Sequence, residues 1–173
     1  MSVIENIYKP CRRPDPEEAP AHIKVASKDY PKGKALPENL KLDRERLKDF
    51  SYDKPYKLFY GFGVNLQDFI EYHQKHNLPK PPPTTKLSIV RQCMVHQVLE
   101  DLQKHCDFDW FELHLAMAVE YKYILVIYDS YTFDRAEMED AIEQEIYKVL
   151  RDRMEVCKSQ EPRWFRTFYD IYH

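Results

Sequence analysis

The chain has 173 residues, of which 43% are hydrophobic and 32% charged, with a formal net charge of −3 at pH 7. Its three glycines, Gly33, Gly61 and Gly63, are too few for the glycine-rich loops that cradle phosphate groups in the common nucleotide-binding folds. Residues 1–60 carry 13 basic and 10 acidic side chains, without the dense basic face of a nucleic-acid-binding protein, so we expect no nucleic-acid partner.

The cysteines and the apolar runs bear on the compartment. The four cysteines are far apart and form no C-x-x-C pair, which favours free thiols in a reducing environment. The N-terminal sequence MSVIENIYKP lacks the apolar centre of a secretory signal, and the longest apolar run, ILVIY at 124–128, is too short to cross a bilayer. We therefore expect a soluble cytoplasmic protein without a membrane partner.

Residues 1–55 are predicted to form an extended arm, because they hold seven of the twelve prolines. Proline removes an amide donor and biases the preceding residue toward extended geometry. Within the arm, the pattern predicts a short strand near 21–27 and a helical turn near 37–50. Apolar residues spaced along the arm, among them Tyr8 and Tyr30, are typical of a segment that packs across its own domain or across a partner.

Residues 56–173 are predicted to form a single α+β domain. The aromatic stretch YKLFYGF (56–62) is β-prone, and the next segment, 64–78, reads as a helix with Asn65 as its N-cap. A second helix is predicted over 86–106, capped by Thr85. Its apolar stripe follows i, i+3 and i+4 spacing and contains Leu87, Val90, Met94, Val98 and Leu102.

The stretch FELHLAMAVEY (111–121) alternates strictly, with an apolar residue at every odd position. This alternation predicts a strand, although Leu, Met, Ala and Glu favour helices. The even positions place Glu112, His114 and Glu120 on its second face. YILVIYD (123–129) follows as a second, more deeply buried strand.

The C-terminal part of the chain is predicted to hold a third helix over 133–158 and a docked aromatic tail over 162–173, which contains five aromatic residues. The fold class predicted from these elements is α+β, with about three amphipathic helices packed on a small β-sheet and a long Pro-rich extended N-terminal arm.

One candidate site lies on the predicted strand face. Two residues apart on a strand, Glu112 and His114 would lie about 6–7 Å apart at Cα, close enough for a carboxylate to orient an imidazole that acts as a general base. Glu120 would share the same face. A strand face that is only exposed to water gives the same alternation, and this is the simpler interpretation.

We predict no metal site and no cofactor. Two pairs at i, i+3 spacing lie on one helical face each, as metal ligands require, but no H-E-x-x-H motif is present. These weak candidate ligands are His73, His76, Cys93 and His96.

The preferred functional hypothesis is a non-enzymatic intracellular protein-interaction or assembly protein. Its partner would be another protein or a second copy of itself, so a homo-oligomer is possible. The contacts would come from the arm, through Tyr8 and Tyr30, and from the aromatic tail, through Trp164, Phe165, Phe168 and Tyr169. The alternative is a small-molecule-binding protein or cofactor-independent enzyme, with an aromatic-lined pocket and with His114, Glu112 and Glu120 as its polar groups. The sequence leaves open whether the protein is an enzyme.

Overall fold

The structure, a computed structural model, describes residues 8–26, 30–31, 33–81 and 86–168. The predicted helix cap Thr85 and the predicted interaction residue Tyr169 lie outside this part of the chain. The chain divides into two compact units, each assembled from three separate segments. Unit 1 takes its described residues from Met1–Arg13, Val64–Phe111 and Glu139–Gln160, and unit 2 from Pro14–Gly63, Glu112–Met138 and Glu161–His173.

Helices and one sheet together confirm the predicted α+β class. The helices are α1 (Ala21–Ala26), α2 (Leu66–Lys75), α3 (Leu87–Cys106), α4 (Phe133–Ala136), α5 (Asp140–Arg153) and α6 (Glu155–Lys158), with 3-10 turns at Glu38–Leu40 and Glu45–Lys48. The strands are β1 (Phe59–Val64), β2 (Glu112–Leu115), β3 (Tyr123–Asp129) and β4 (Arg163–Phe165), which form one antiparallel sheet in the order β2-β3-β1-β4. None of the described helices combines the length and the apolar character that crossing a membrane requires.

Helix α3 of unit 1 buries four of the five residues in the stripe that its spacing predicts, whereas Leu87 is only partly buried. Val90, Met94, Val98 and Leu102 are fully buried. The helix packs against α2 and α5. Burying side chains of this size contributes roughly 1.5–3 kcal/mol each, against the entropy cost of ordering them.

Helix α2 begins at a capping box. Asn65 is the N-cap, with extended backbone dihedrals, and the Oδ2 atom of Asp68 accepts the backbone N–H of Asn65 at 2.6 Å. An acidic side chain at this position satisfies an amide that the helix leaves unpaired and lies at the positive end of the helix dipole. The capping box fixes the place where the chain leaves β1 and turns into α2.

The sheet of unit 2 has one face covered by a compact apolar cluster. In the register of the sheet, Phe59 is paired with Phe165 and His114 with Ile124. Paired residues of an antiparallel ladder point to the same face of the sheet, so Phe59 shares a face with Phe165, and His114 shares a face with Ile124. The buried members of the cluster are Phe59, Ala116, Ala118, Ile124, Val126 and Phe165.

Part of the predicted arm packs on the sheet of unit 2. The Tyr30 hydroxyl donates a hydrogen bond to the backbone carbonyl of Met117, and the Trp164 indole N–H donates one to the carbonyl of Lys34 at 3.0 Å. Leu36 is buried as well. Tyr30, Lys34 and Leu36 of the arm thus contribute to the packing of their own unit.

The predicted strand near 21–27 is wrong, because Ala21–Ala26 forms helix α1. The alternation of Ile23 and Val25 favoured a strand, but the carbonyl of Pro20 accepts the amide hydrogens of both Ile23 and Lys24 and so starts a helical turn. Proline fixes φ at a helical value, which favours a helix start. The helical turns predicted within 37–50 are confirmed.

The single helix predicted over 133–158 is divided into α4, α5 and α6. Between α4 and α5, the Tyr128 hydroxyl accepts the amide hydrogen of Met138 at 3.0 Å, which removes that amide from a helical ladder. Between α5 and α6, Met154 has an extended backbone (φ −112°, ψ 110°) and a buried side chain. The segment contains no proline or glycine, so the local sequence gives no sign of either break.

Candidate functional site

The predicted pairing of Glu112 and His114 is present on strand β2. The Nε2 atom of His114 lies 2.8 Å from Oε2 of Glu112, and the imidazole stacks on the Phe59 ring with centroids 4.3 Å apart. A carboxylate bonded to one ring nitrogen fixes the orientation of the imidazole and leaves the other nitrogen available to take a proton. The pair therefore has the internal geometry of an oriented general base.

The surroundings of this pair are open to solvent. Strand β2 is an edge of the sheet, and the side chains of His114 and Glu112 are 27% and 66% exposed. Neither residue lines the two clefts described below. Exclusion of water is what strengthens electrostatic interactions in an active site, and this position lacks it.

The third member of the predicted face, Glu120, lies apart from the pair. Strand β2 ends at Leu115, and the Ala116 amide then bonds to the Lys122 carbonyl, so the chain turns before it reaches residue 120. The Glu120 carboxylate instead lies 3.3 Å from the guanidinium of Arg163. The prediction that Glu120 continues the same strand face is therefore wrong. The turn has no glycine and no Asn-Gly pair, so the sequence did not reveal it.

Each unit has a surface cleft. The larger, in unit 2, encloses about 830 Å³ between residues 38–57 of the arm and Tyr131. Three of its basic side chains form ion pairs: Lys41 with Glu38 in the lining itself, and Arg46 and Lys57 with Asp49 and Asp129 beside it. The smaller cleft, in unit 1, encloses about 560 Å³ between α2 and the junction of α5 and α6.

A hydrogen-bonded network of three side chains links the helices of unit 1. The Tyr72 hydroxyl donates to Oδ2 of Asp101 at 2.6 Å, and Arg153 donates to the same carboxylate at 2.6 Å and to the Tyr72 oxygen at 2.7 Å. Burial raises the pKa of Tyr72, and the hydrogen bond to Asp101 raises it further. Burial acts to raise the pKa of Asp101 too, but the bonds from Tyr72 and Arg153 outweigh it and lower this pKa. At neutral pH the network is therefore a fixed link between α2, α3 and α5 rather than an acid–base pair.

The four weak metal candidates do not come together. His76 Nε2 lies 3.2 Å from the carbonyl oxygen of Arg153, and His96 Nε2 lies 3.1 Å from a carboxylate oxygen of Glu100. Within the described ranges, no three or more His, Cys, Asp or Glu side chains are placed to hold a metal ion. The candidates are His73, His76, Cys93 and His96.

Most of the predicted interaction residues serve their own fold. Trp164 and Phe165 are completely buried, and Phe168 is half-buried. Tyr30 is buried enough to raise its pKa to about 12. The hydroxyl of Tyr8 lies 3.1 Å from Nδ1 of His73 in its own chain. The described part of the tail, residues 162–168, therefore contributes Trp164 and Phe165 to the core of its own unit.

The residue that sequence reasoning missed is Trp110, which is 77% exposed. It stands on the loop after α3, and this loop is held in place. The Gln103 carbonyl accepts the Phe108 amide at 3.1 Å, and the Gln103 side-chain amide donates to the Asp109 carbonyl at 2.8 Å. Phe108 and Phe111 pack edge to face with centroids 4.8 Å apart. The only signal in the sequence is the run Asp-Phe-Asp-Trp, in which charged residues alternate with aromatic ones.

Comparison with known proteins gives no match: no family model, no curated protein and no solved structure is similar to this chain.

Proposed function

We propose that this protein acts by binding another protein and that Trp110 is the centre of the contact. The observation that carries the proposal is the 77% exposure of this side chain on a loop anchored by Gln103. Tryptophan is enriched among the few residues that supply most of the binding energy at protein interfaces. Anchoring the loop before binding reduces the conformational entropy that association costs.

The charges beside Trp110 indicate what kind of surface the partner has. Asp107 and Asp109 are both exposed, and they precede Trp110 in the sequence by three residues and by one. Carboxylates at the rim of an interface favour partners that bring cations there. We propose an apolar pocket rimmed by lysine or arginine side chains as the matching surface.

The proposed site of action is inside the cell. The four cysteines, Cys11, Cys93, Cys106 and Cys157, are all free. Burial raises the pKa of the Cys106 thiol to about 12, which keeps it protonated and unreactive. Unpaired thiols are the usual state in a reducing compartment.

Site-specific photocrosslinking tests the proposal. A photoreactive phenylalanine replaces Trp110 in one variant and the exposed Lys148 of α5 in a matched control, and both are expressed in the native cell. The expected result is a defined partner that is crosslinked from position 110 and not from position 148. The partner is then purified and its affinity is measured for the unlabelled chain.

In that purified pair, Trp110→Ala is expected to raise Kd by about 30-fold, since a hot-spot tryptophan contributes about 2 kcal/mol or more. Lys148→Ala is expected to leave Kd within about twofold, as is usual for residues outside an interface. An unchanged Kd for Trp110→Ala, or crosslinking that is equal at both positions, would overturn the proposal.

A second candidate function rests on the 2.8 Å contact between His114 and Glu112. Under this alternative, the protein binds a small molecule or catalyses a reaction at the edge of the sheet, with His114 as the base. A screen of small molecules by ligand-observed NMR would then give ligands whose binding is lost in His114→Ala and retained in His22→Ala, at an exposed histidine of α1. Ligands that bind both variants equally would exclude the pair as their site.

A further inference from the structure

The cleft of about 830 Å³ in unit 2 has three tyrosine rings in its lining, Tyr52, Tyr56 and Tyr131, and all three are half-buried. Pro55 lines the cleft as well and is half-buried like the rings. A groove lined by aromatic rings is the kind of surface on which proline-rich segments dock in the polyproline II conformation. The composition of the lining therefore raises the question of whether this cleft receives such a segment.

The three rings are held in place by other groups of unit 2. The Tyr131 hydroxyl donates to the carbonyl of Pro55 at 2.5 Å, and the Tyr52 hydroxyl accepts a backbone amide hydrogen at 2.8 Å. The Arg166 guanidinium lies 4.1 Å from the centre of the Tyr56 ring, within the range of a cation–π contact. Because the rings are fixed beforehand, a ligand that packs on them costs little side-chain entropy.

The Tyr52 hydroxyl also offers a hydrogen-bond donor to a ligand. It accepts the amide hydrogen of Asp43, and its own hydrogen has no acceptor among the described residues. A polyproline II segment makes no internal hydrogen bonds, so its carbonyl oxygens are free to accept, and its prolines have no N–H to donate. The free hydrogen of Tyr52 therefore has the polarity that a proline-rich backbone requires.

The charges that remain unpaired in the cleft favour a ligand with a basic residue. Three of the lining cations are in the ion pairs described above, which leaves Lys54. Among the lining carboxylates, Asp43 and Asp53 have no ion pair with a described residue, although Asp43 accepts two backbone amides of the following turn. Two carboxylates against one cation leave a net negative charge, which a lysine or arginine of the ligand would complement.

Other modes of peptide recognition fit this cleft less well. None of its lining residues belongs to a strand, so the lining offers no strand edge to which a peptide could add another strand. Seven of its twelve lining residues are charged, so the apolar face of a helix would have to strip water from them without replacing it. A proline-rich segment combines apolar rings with carbonyl acceptors and suits a lining of tyrosines and charges.

We propose that this cleft binds a proline-rich segment of a partner protein. The prolines pack on the three tyrosine rings, a backbone carbonyl accepts from Tyr52, and a lysine or arginine of the segment lies beside Asp53. The proposal does not depend on the proposed role of Trp110, which belongs to unit 1, so either can fail without the other.

Titration of the full, ¹⁵N-labelled chain with synthetic peptides, followed by NMR, tests the proposal. The probe is a peptide of ten prolines with one arginine at each end. The matched control keeps both arginines but replaces the prolines by alternating glycine and serine. The proline peptide is expected to shift the amide signals of residues 38–57 and Tyr131, with a Kd below about 1 mM. The control is expected to bind at least about tenfold more weakly, because it is flexible and brings no rings.

Three outcomes of this titration would overturn the proposal. They are an absence of saturable shifts with the proline peptide, shifts that map outside the cleft, and equal affinity for the two peptides. Because the same spectra report whether each chain is folded, the titration can be repeated with variants.

Tyr52→Phe tests the donor, since it keeps the ring and removes the hydroxyl. It is expected to raise the Kd of the proline peptide by about fivefold, the effect of losing one hydrogen bond. Tyr123→Phe is the matched control, because the Tyr123 hydroxyl has no hydrogen bond among the described residues and is outside the cleft. Its Kd is expected to stay within about twofold of the parent. Equal Kd values for the two variants would contradict the contact assigned to Tyr52.

Asp53→Asn tests the charge, with Asp152→Asn of α5 as a matched change at another exposed carboxylate. Asp53→Asn is expected to raise the Kd of the arginine-bearing proline peptide by about threefold, as for an exposed ion pair. The same variant is expected to leave unchanged the Kd of a proline peptide in which glutamine replaces both arginines. An equal effect of Asp53→Asn on both peptides, or an equal effect of both variants, would contradict the basic residue of the ligand.

Discussion

Gly61 and Gly63 show how a single residue can decide the packing of the sheet. A Cβ atom on Gly61 would lie 2.0 Å from the backbone oxygen of Leu125, whereas one on Gly63 would lie 2.1 Å from the Tyr121 ring. Backbone in a sheet cannot move aside, but a partly buried ring can. We expect Gly61→Ala to cost about 3 kcal/mol or more and Gly63→Ala about 1–2 kcal/mol, measured by urea unfolding.

The Tyr121 ring provides the control for this prediction. If the clash with the ring is the cause, Gly63→Ala combined with Tyr121→Ala is expected to be less destabilised than the sum of the two single changes, since neighbouring residues couple. The clash in Gly61→Ala is with backbone rather than with a side chain, so adding Tyr121→Ala is not expected to relieve the loss of stability in that variant. A Gly61→Ala protein as stable as the parent would show that β1 and β3 do not approach as closely as described.

Asp68 and Asp101 are expected to give opposite pH dependences of stability. Burial raises the pKa of Asp68 more than the Asn65 amide and the charge of Arg13 lower it. For Asp101, burial is outweighed by Tyr72 and Arg153, and the pKa is lowered. Asp68 therefore contributes stability below its unfolded pKa of about 3.9, and this contribution is lost as pH rises through its folded pKa. Asp101 contributes stability above about 3.9, and this contribution is lost as pH falls through its folded pKa.

The two pH dependences are tested by comparing the unfolding free energies of Asp68→Asn and Asp101→Asn with that of the parent between about pH 3 and pH 7. The advantage of the parent over Asp101→Asn is expected to shrink toward acid pH. Its advantage over Asp68→Asn is expected to grow toward acid pH. Parallel curves for the parent and either variant would mean that the folded state does not shift that pKa.

At the scale of elements, the sequence predicts correctly where local pattern decides the structure. The stripe of α3, the Asn65 cap of α2 and the apolar run of β3 were all visible in the sequence, because helical spacing, capping chemistry and β-branched runs act locally. The predictions over 21–27 and 133–158 are wrong where contacts distant in sequence decide, as when Tyr128 takes the amide of Met138.

The candidate site likewise has features that the local sequence predicts and features that it does not. The spacing of Glu112 and His114 predicted their contact, because two residues apart on a strand is a local relation. Their exposure and the separate position of Glu120 depend on which strand forms the sheet edge and where β2 ends, and neither is a local property. Trp110 was missed because exposure of a large apolar residue has no periodic signature.

A substitution at Met154 tests whether burial of this side chain holds the break between α5 and α6. Its side chain is 1% exposed although its backbone is extended, so its burial holds the two helices in their places. We expect Met154→Ala to lower the free energy of unfolding by about 3 kcal/mol through the cavity that it leaves. Met138→Ala at the other break is the control. Its side chain is partly exposed, so a cost below about 1.5 kcal/mol is expected. Equal costs for the two variants would show that burial of Met154 does not hold the break.

At the scale of the whole molecule, the described residues of the N-terminal third of the chain belong to the fold. Tyr8–Arg13 is part of unit 1. The described residues of Pro14–Gly63 are part of unit 2, where they contribute the Tyr30 bond to Met117 and the buried side chains of Leu36 and Leu40. This arrangement is at odds with an arm that could be removed without consequence for the domain. The prolines revealed the irregular backbone of the arm, but not the side on which it packs, since packing is decided by side-chain contacts with residues more than 80 positions away.

Deletion of residues 1–50 is therefore expected to destabilise the protein as a whole rather than to yield a trimmed, equally stable domain. The change removes the cation beside Asp68 in unit 1 and the carbonyl that Trp164 uses in unit 2, and a buried donor left without its acceptor costs about 1–3 kcal/mol. Urea unfolding followed by tryptophan fluorescence measures the loss. Phe50→Ser is the matched control, because Phe50 lies on the same arm fully exposed, so a change within about 0.5 kcal/mol is expected. A truncated chain that unfolds at the urea concentration of the full chain would show that the arm contacts contribute no net stability, and that the arm is free to act elsewhere.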